Sequence, residues 1–120
     1  RAKVYLLGMA FKENCPDTRN SRAADVYAML KEYDLALHAV DPEVDEEEFR
    51  TEYGFTLEAL DAVRDADCIA ILVAHDAFAQ LSWTRLRKMF RADGPRLLID
   101  VKGVFSRREA EREGFRYWRL

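Results

Sequence analysis

Apolar runs alternate with amphipathic segments along the whole of this 120-residue chain. Such alternation is typical of buried parallel strands joined by helical crossovers. The run 67–74 is the clearest strand, because it is apolar on both faces, as a central parallel strand must be. The predicted strands cover residues 3–8, 35–40, 67–74, 96–100 and 115–120. We therefore predict an α/β fold: a three-layer αβα sandwich around a five-stranded parallel sheet, with strand order 3-2-1-4-5.

Capping residues indicate where the helices between these strands begin. Asn20 or Ser21 can cap a helix whose apolar residues recur at three- and four-residue steps, and Ser82 and Ser106 can cap later ones. The predicted helices cover 21–33, 76–80, 84–91 and 107–113, with shorter segments at 45–48 and 57–64. The acidic run 45–48 suits a solvated helix N-terminus. A metal site there is the lesser alternative, because hard cations need ligands that converge from several directions.

Length and charge limit the kinds of partner. The chain has the size of one ordinary domain, and its net charge of −3 provides no broad cationic field for nucleic acid or an anionic membrane. The longest apolar stretch, 68–74, is far too short to span a bilayer. We therefore expect neither nucleic acid nor a membrane among its partners.

The cysteines indicate the cellular compartment, and the first residue bears on the domain organisation. Cys15 and Cys68 cannot form a disulfide framework, which favours a reducing, cytoplasmic compartment. The chain begins with Arg1, and a strand-like run follows almost at once. We therefore expect residues 1–120 to be one domain excised from a longer protein.

Three cations follow the strands at one edge of the predicted sheet. Ligands of open parallel sheets bind beyond the carboxyl ends of the strands. Lys12 and Arg19 follow the first strand, and Lys102 follows the fourth. Together they suggest an anionic ligand, with phosphate the natural candidate. The alternatives are that Lys12 is solvated, that Arg19 ties its loop to Asp17, and that Lys102 is an ordinary turn residue.

Other candidate motifs give weaker signals. Gly8 does not begin a G-x-G-x-x-G pattern and no Walker A loop is present, so the usual pyrophosphate cradle is missing. Neither histidine is placed to activate Cys15 as a nucleophile. His38 is expected to be a half-buried strand residue, whereas His75 follows a strand and is a site candidate by position. The spacing of these residues does not support a zinc site, so we expect no metal.

Residues 8–21, read in order, resemble a known family motif. The stretch GMAFKENCPDTRNS is similar to the G-x-x-F-K-x-x-x-x-D-x-R-x-S stretch of the UDP-glucose/GDP-mannose dehydrogenase family. Asp41-Pro42 and 100–103 also fall where that family has similar segments. The motif opens the family's C-terminal, UDP-binding domain, which is Rossmann-like. The variant here looks most like the bacterial branch that oxidises UDP-N-acetyl-hexosamines.

The resemblance implies a role in an NAD-dependent oxidation of a sugar C6 alcohol to a carboxylate. The catalytic residues belong to the family's middle region, so none is expected in this chain, and the isolated chain should be inactive. By resemblance, Phe11, Lys12 and Lys102 bind the UDP-sugar substrate, and Arg19 reaches NAD on another domain. Lys102 stands where some members have an arginine, and lysine cannot make that residue's bidentate fork.

The resemblance also implies partners. These are a UDP-sugar, the remaining domains of the same enzyme, and further copies of it, which associate through the middle region, so that the chain alone would be a monomer. The alternative is a freestanding αβα binding or signalling module, such as a receiver domain, or a structural domain that has lost its ligand. A receiver needs acidic residues after its first strand and an aspartate after its third, where this chain has Gly8-Met9-Ala10 and Val73-Ala74-His75.

Overall fold

Five parallel strands form one sheet in the computed structural model, which describes residues 1–119. The strands are β1 (Ala2–Leu7), β2 (Leu35–Val40), β3 (Cys68–Ile71), β4 (Leu97–Asp100) and β5 (Arg116–Arg119). The α/β class, the number of strands and their parallel direction are confirmed. The predicted fifth strand included Leu120, which lies outside the described residues.

The predicted strand order was wrong. The observed order is β2-β1-β3-β4-β5, so β3 pairs directly with β1, from Val4 opposite Cys68 to Leu7 opposite Ile71. Burial explains the difference. Three of the four β3 residues are fully buried, as suits a strand between two others, whereas the first four residues of β2 are only half-buried. A half-buried strand belongs at the edge of a sheet.

The helices begin where the capping residues predicted. They are α1 (Arg22–Leu30), α2 (Glu46–Tyr53), α3 (Asp76–Ala79), α4 (Trp83–Met89) and α5 (Arg107–Arg112). The side chains of Ser21, Ser82 and Ser106 each accept a hydrogen bond from the backbone N–H three residues on. Helix α1 ends three residues before its predicted end, and Tyr33 is exposed beyond it. The acidic run opens α2, capped by the Asp45 side chain.

The predicted helix over 57–64 is largely absent. Only a short 3-10 turn forms there, at Leu60–Ala62. The Glu58 N–H donates to the Ala39 carbonyl (2.8 Å), and Glu58 pairs with Val40 in a single parallel bridge. This pairing draws the segment along the free edge of β2 in an extended conformation.

Two apolar cores flank the sheet and complete the three predicted layers. On one face Leu6, Ala39 and Ala70 pack with residues of α1 and α2, among them Ala23 and Phe49. On the other face the strands pack against α3, α4 and α5 through residues that include Tyr5, Leu7, Ile71, Phe78, Leu86 and Ala110. Within residues 1–119 no helix is long and apolar enough to cross a membrane.

Candidate functional site

A cavity of about 120 Å³ opens at the carboxyl ends of the strands. Its lining combines apolar residues with four charged ones. The lining residues are Ala10, Phe11, Lys12, Glu13, Arg22, Ala23, Leu72, Val73 and Lys102. The cavity therefore lies where ligands of open parallel sheets bind.

Three of the lining residues are cations: Lys12, Arg22 and Lys102. Among residues 1–119 no carboxylate lies within 4.0 Å of any of their charged nitrogens. Three cations and one carboxylate, that of Glu13, thus line one cavity, and none of the three cations has an ion-pair partner in the described chain. The excess of positive charge favours an anionic ligand.

Larger concavities lie elsewhere. One of about 410 Å³ includes Glu46, Glu58 and Asp61 in its lining, and one of about 550 Å³ lies against the acidic side of α2, so both would repel an anionic ligand. A third, of about 340 Å³, is lined by Arg64, Arg85, Lys88 and Asp61 among others, but these residues precede β3 and β4 rather than follow them. The smaller cavity at the carboxyl ends of the strands is therefore the better candidate site. Among residues 1–119 no cluster of three or more histidine, cysteine or acidic side chains could hold a metal ion.

A buried aspartate at the end of β2 holds the loop after β1. The Asp41 Oδ2 atom accepts hydrogen bonds from the backbone N–H groups of Met9 (2.7 Å) and Ala10 (2.9 Å). The Nε2 atom of His75 lies 3.0 Å from the same oxygen. The His75 Nδ1 atom accepts from the Asn14 N–H (2.8 Å), so the proton of the neutral ring is on Nε2. His75 is fully buried, and it therefore positions the loop rather than meeting a ligand.

Further hydrogen bonds close this loop on itself. The Phe11 N–H donates to the Asp17 carbonyl (2.6 Å), and the Ser21 hydroxyl donates to the Met9 carbonyl (2.7 Å). The Asn14 side chain accepts from the Asp76 N–H (2.9 Å) at the start of α3. The loop is thereby tied at both ends, and the Phe11 ring is left 56% exposed at the cavity.

A second buried aspartate holds the loop that carries Lys102. The Asp100 carboxylate, at the end of β4, accepts from the backbone N–H groups of Val104 and Phe105, both at 2.8 Å. It also bonds to the Tyr117 hydroxyl on β5. Burial, together with this bond to Asp100, raises the pKa of Tyr117. The turn that presents Lys102 is therefore anchored to the sheet from beneath.

Arg19 lies apart from these residues. Its guanidinium donates to both carboxylate oxygens of Asp17, at 3.1 and 2.9 Å, and its side chain is 81% exposed. The hydrogen bonds from Arg19 hold the pKa of Asp17 at about 2. The structure thus brings Phe11, Lys12 and Lys102 together, but Arg19 is paired on the outer side of its loop.

Arg22 was not singled out from the sequence. The rule that ligands bind beyond the carboxyl ends of strands points to loops, whereas Arg22 is the first residue of α1. Its position directly after the cap Ser21 was the available signal, because a helix that follows β1 begins at the same edge of the sheet.

His38 and Cys68 are both structural residues. His38 is half-buried in β2, as predicted; its ring stacks on Tyr5 and bonds to Glu58. Burial raises the pKa of the Cys68 thiol to about 11, so this thiol is a poor nucleophile at neutral pH.

Comparison with known proteins identifies close similarity over most of the chain. Residues 5–107 match the model of the UDP-glucose/GDP-mannose dehydrogenase family, UDP binding domain. The chain is 37% identical, over 101 residues, to UDP-N-acetyl-D-glucosamine 6-dehydrogenase of Pseudomonas aeruginosa, with 84% of the chain and 24% of that protein covered. It is 36% identical to the protein of the same name from Salmonella typhi, with 92% of the chain and 25% of that protein covered.

Solved structures show the same fold. NDP-N-acetyl-D-galactosaminuronic acid dehydrogenase from Methanosarcina mazei Go1 superimposes with a TM-score of 0.80 at 26% identity, over 99% of this chain and 24% of that one. The UDP-N-acetyl-mannosamine dehydrogenase Cap5O from S. aureus gives 0.73 at 27% identity, over 99% and 26%. The chain spans about a quarter of the length of the curated relatives it matches.

Proposed function

Because the chain belongs to the UDP-glucose/GDP-mannose dehydrogenase family, we propose that residues 1–120 are the nucleotide-sugar-binding domain of an NAD-dependent UDP-sugar 6-dehydrogenase. The whole enzyme would oxidise the C6 alcohol of the sugar to a carboxylate and reduce two NAD molecules. The catalytic residues would lie in the rest of the enzyme. The cationic cavity between the loops after β1 and β4 is the observation that supports this function most directly.

The residues around the cavity suit the parts of a UDP group. Lys12 and Lys102 are point charges that would neutralise phosphate oxygens. The exposed Phe11 ring offers a flat apolar face on which the uracil base would stack. Holding this distant part of the substrate would orient the sugar C6 atom for reaction on another domain.

The size of the cavity supports a shared binding site. About 120 Å³ is well below the roughly 300–1,000 Å³ of a typical small-molecule pocket. We propose that the cavity takes a phosphate group rather than the whole nucleotide sugar. The remainder of the substrate would therefore be covered by another domain of the same enzyme.

NAD would be held mainly by that other domain and would accept the hydride from C6. Within this chain Arg19 is the residue proposed to reach it. Its guanidinium is exposed and already oriented by Asp17, which suits contact with an anionic group across a domain boundary. We place the enzyme in the cytoplasm, in polysaccharide biosynthesis, and assign its oligomer contacts to the middle region, so that this chain alone would be a monomer.

A titration of the isotopically labelled chain with UDP, followed by amide NMR, tests this function. We expect the shifted amides to cluster at 10–13 and 101–104, and both Lys12→Gln and Lys102→Gln to weaken binding. Lys31→Gln, at the far end of α1, is the charge-matched control and should bind as the wild type does. A wild-type chain whose cavity amides do not move at millimolar UDP would contradict the proposal. The chain should form no NADH from NAD and UDP-sugars.

A further inference from the structure

We infer that Arg22 is a third ligand-binding cation, whose guanidinium donates two N–H hydrogen bonds to a phosphate group of the ligand. This inference rests on the proposed function and adds a contact that the motif of residues 8–21 does not contain. It makes helix α1, as well as the two loops, part of the binding site.

The position of Arg22 supports this role. Arg22 lines the same cavity as Lys12 and Lys102, although it comes from a different element. The Ser21 side chain caps α1 and also donates to the Met9 carbonyl at 2.7 Å. The start of the helix is thereby tied to the loop that presents Lys12.

Helix stability does not explain an arginine at this position. The positive end of the helix dipole lies at the N-terminus, so a cation in the first turn is unfavourable. Ion pairing does not explain it either, because no carboxylate among residues 1–119 lies within 4.0 Å of its guanidinium. Arg22 is an exposed residue that lines the cavity, so its guanidinium is available to an anion bound there.

The chemistry of arginine complements that of the two lysines. An ammonium group neutralises charge but sets little orientation, whereas a planar guanidinium can donate two parallel hydrogen bonds to a phosphate. Arg22 would therefore fix the orientation of the phosphate between the two lysines. The ligand class is a nucleoside diphosphate, free or as part of a nucleotide sugar, with one phosphate group in the cavity.

The test compares Arg22→Gln, Arg22→Lys and the charge-matched control Lys31→Gln, each titrated with UDP by amide and phosphorus NMR. We expect Arg22→Gln to weaken UDP binding about tenfold, as loss of a charge-assisted contact would. Arg22→Lys should recover only part of the affinity, because it restores the charge without the fork. The phosphorus resonances of bound UDP should move in Arg22→Lys relative to the wild type, which a purely structural role would not produce.

The outcomes separate this inference from the proposed function. Wild-type binding at the cavity, with unchanged affinity in a folded Arg22→Gln variant, would overturn the role of Arg22 and leave the function standing. Equal affinity and equal phosphorus shifts in Arg22→Lys and the wild type would overturn the bidentate contact. Absence of UDP shifts at the wild-type cavity would overturn the proposed function, and this inference with it.

Discussion

Asp41 and His75, 34 residues apart in the sequence, share a buried hydrogen bond of 3.0 Å between Oδ2 and Nε2. Both side chains are buried completely. The bond joins the end of β2 to the loop after β3, and through Asn14 it also reaches the loop after β1. One pair of residues thus holds together three segments at the carboxyl ends of the strands.

Replacing His75 should destabilise this edge. We expect His75→Ala to lower the free energy of unfolding by about 2–4 kcal/mol, because it leaves a cavity, removes one hydrogen bond from the buried Asp41 carboxylate and deprives the Asn14 N–H of its acceptor. Hydrogen exchange should accelerate at the amide of Asn14, which loses its acceptor. His38→Ala is the control, and it should cost about 1 kcal/mol or less, since the His38–Glu58 pair is partly exposed. Equal costs for the two variants would contradict this role of His75.

Gly8 should tolerate no side chain. Its φ is +106°, and an added Cβ atom would lie 2.6 Å from the Val73 Cβ atom. We expect Gly8→Ala to cost more than about 3 kcal/mol in urea unfolding, because steric overlap adds to backbone strain. Gly54→Ala is the matched control: its φ is +83°, but no atom lies within 4 Å of the added carbon. That variant should lower the free energy of unfolding by about 1–2 kcal/mol. A similar loss of stability in both variants would show that overlap with Val73 does not add to the strain at Gly8.

Ionisation of the Cys68 thiol should make the free energy of unfolding depend on pH in the alkaline range. Its pKa is about 11 in the folded chain, compared with an ordinary value of 9.0. The unfolded thiol therefore ionises first, and the stability gained from a neutral thiol is present below pH 9 and lost between pH 9 and 11. The stability advantage of the wild type over Cys68→Ala should shrink by about 2 kcal/mol across that window. An advantage that stays constant from pH 8 to pH 11 would contradict the raised pKa.

The Asp17–Arg19 pair predicts a measurable change at acid pH. Arg19 holds the pKa of Asp17 at about 2, below the ordinary 3.8. We expect Arg19→Gln to raise the pKa of Asp17 towards 3.8 in a carbon-detected NMR titration. In the wild type the stabilising effect of this pair is present above pH 3.8 and is lost as the pH falls towards 2. Arg22→Gln is the control, and it should leave the Asp17 titration unchanged.

Arg22→Gln should also increase the stability of the free chain. Removing a cation from the first turn of α1 relieves its repulsion from the helix dipole and is expected to add about 0.3–1 kcal/mol. Thermal unfolding at low ionic strength, without ligand, measures the difference. A decrease in stability would show that Arg22 serves the fold instead.

Features set by neighbouring residues could be predicted from the sequence. Ser21, Ser82 and Ser106 cap helices because each side chain reaches an N–H only three residues away. The bounds of β2 agree with the predicted 35–40, since an apolar run between turn residues is a local signal. The order of the strands depends on pairing between distant segments. The position of β3 beside β1 therefore had to be read from the structure.

For the candidate site, too, local signals could be predicted and long-range contacts could not. The rule that ligands bind at the carboxyl ends of strands placed Lys12 and Lys102 at one edge, and the family resemblance added Phe11; all three line one cavity. That rule led only to loops and so missed Arg22. The pairing of Arg19 with Asp17 was an alternative visible in the sequence, because only Thr18 lies between them. Nothing local connects Asp41 to His75.

The buried carboxylates of Asp41 and Asp100 have a consequence for the thermodynamics of binding. Each accepts backbone N–H groups of a loop that lines the cavity, so both loops are ordered before any ligand arrives. Their loss of conformational entropy belongs to folding rather than to binding. The backbone that carries Lys12 and Lys102 is therefore preorganised. A ligand bound there would have to immobilise the two lysine side chains but not the loops that carry them.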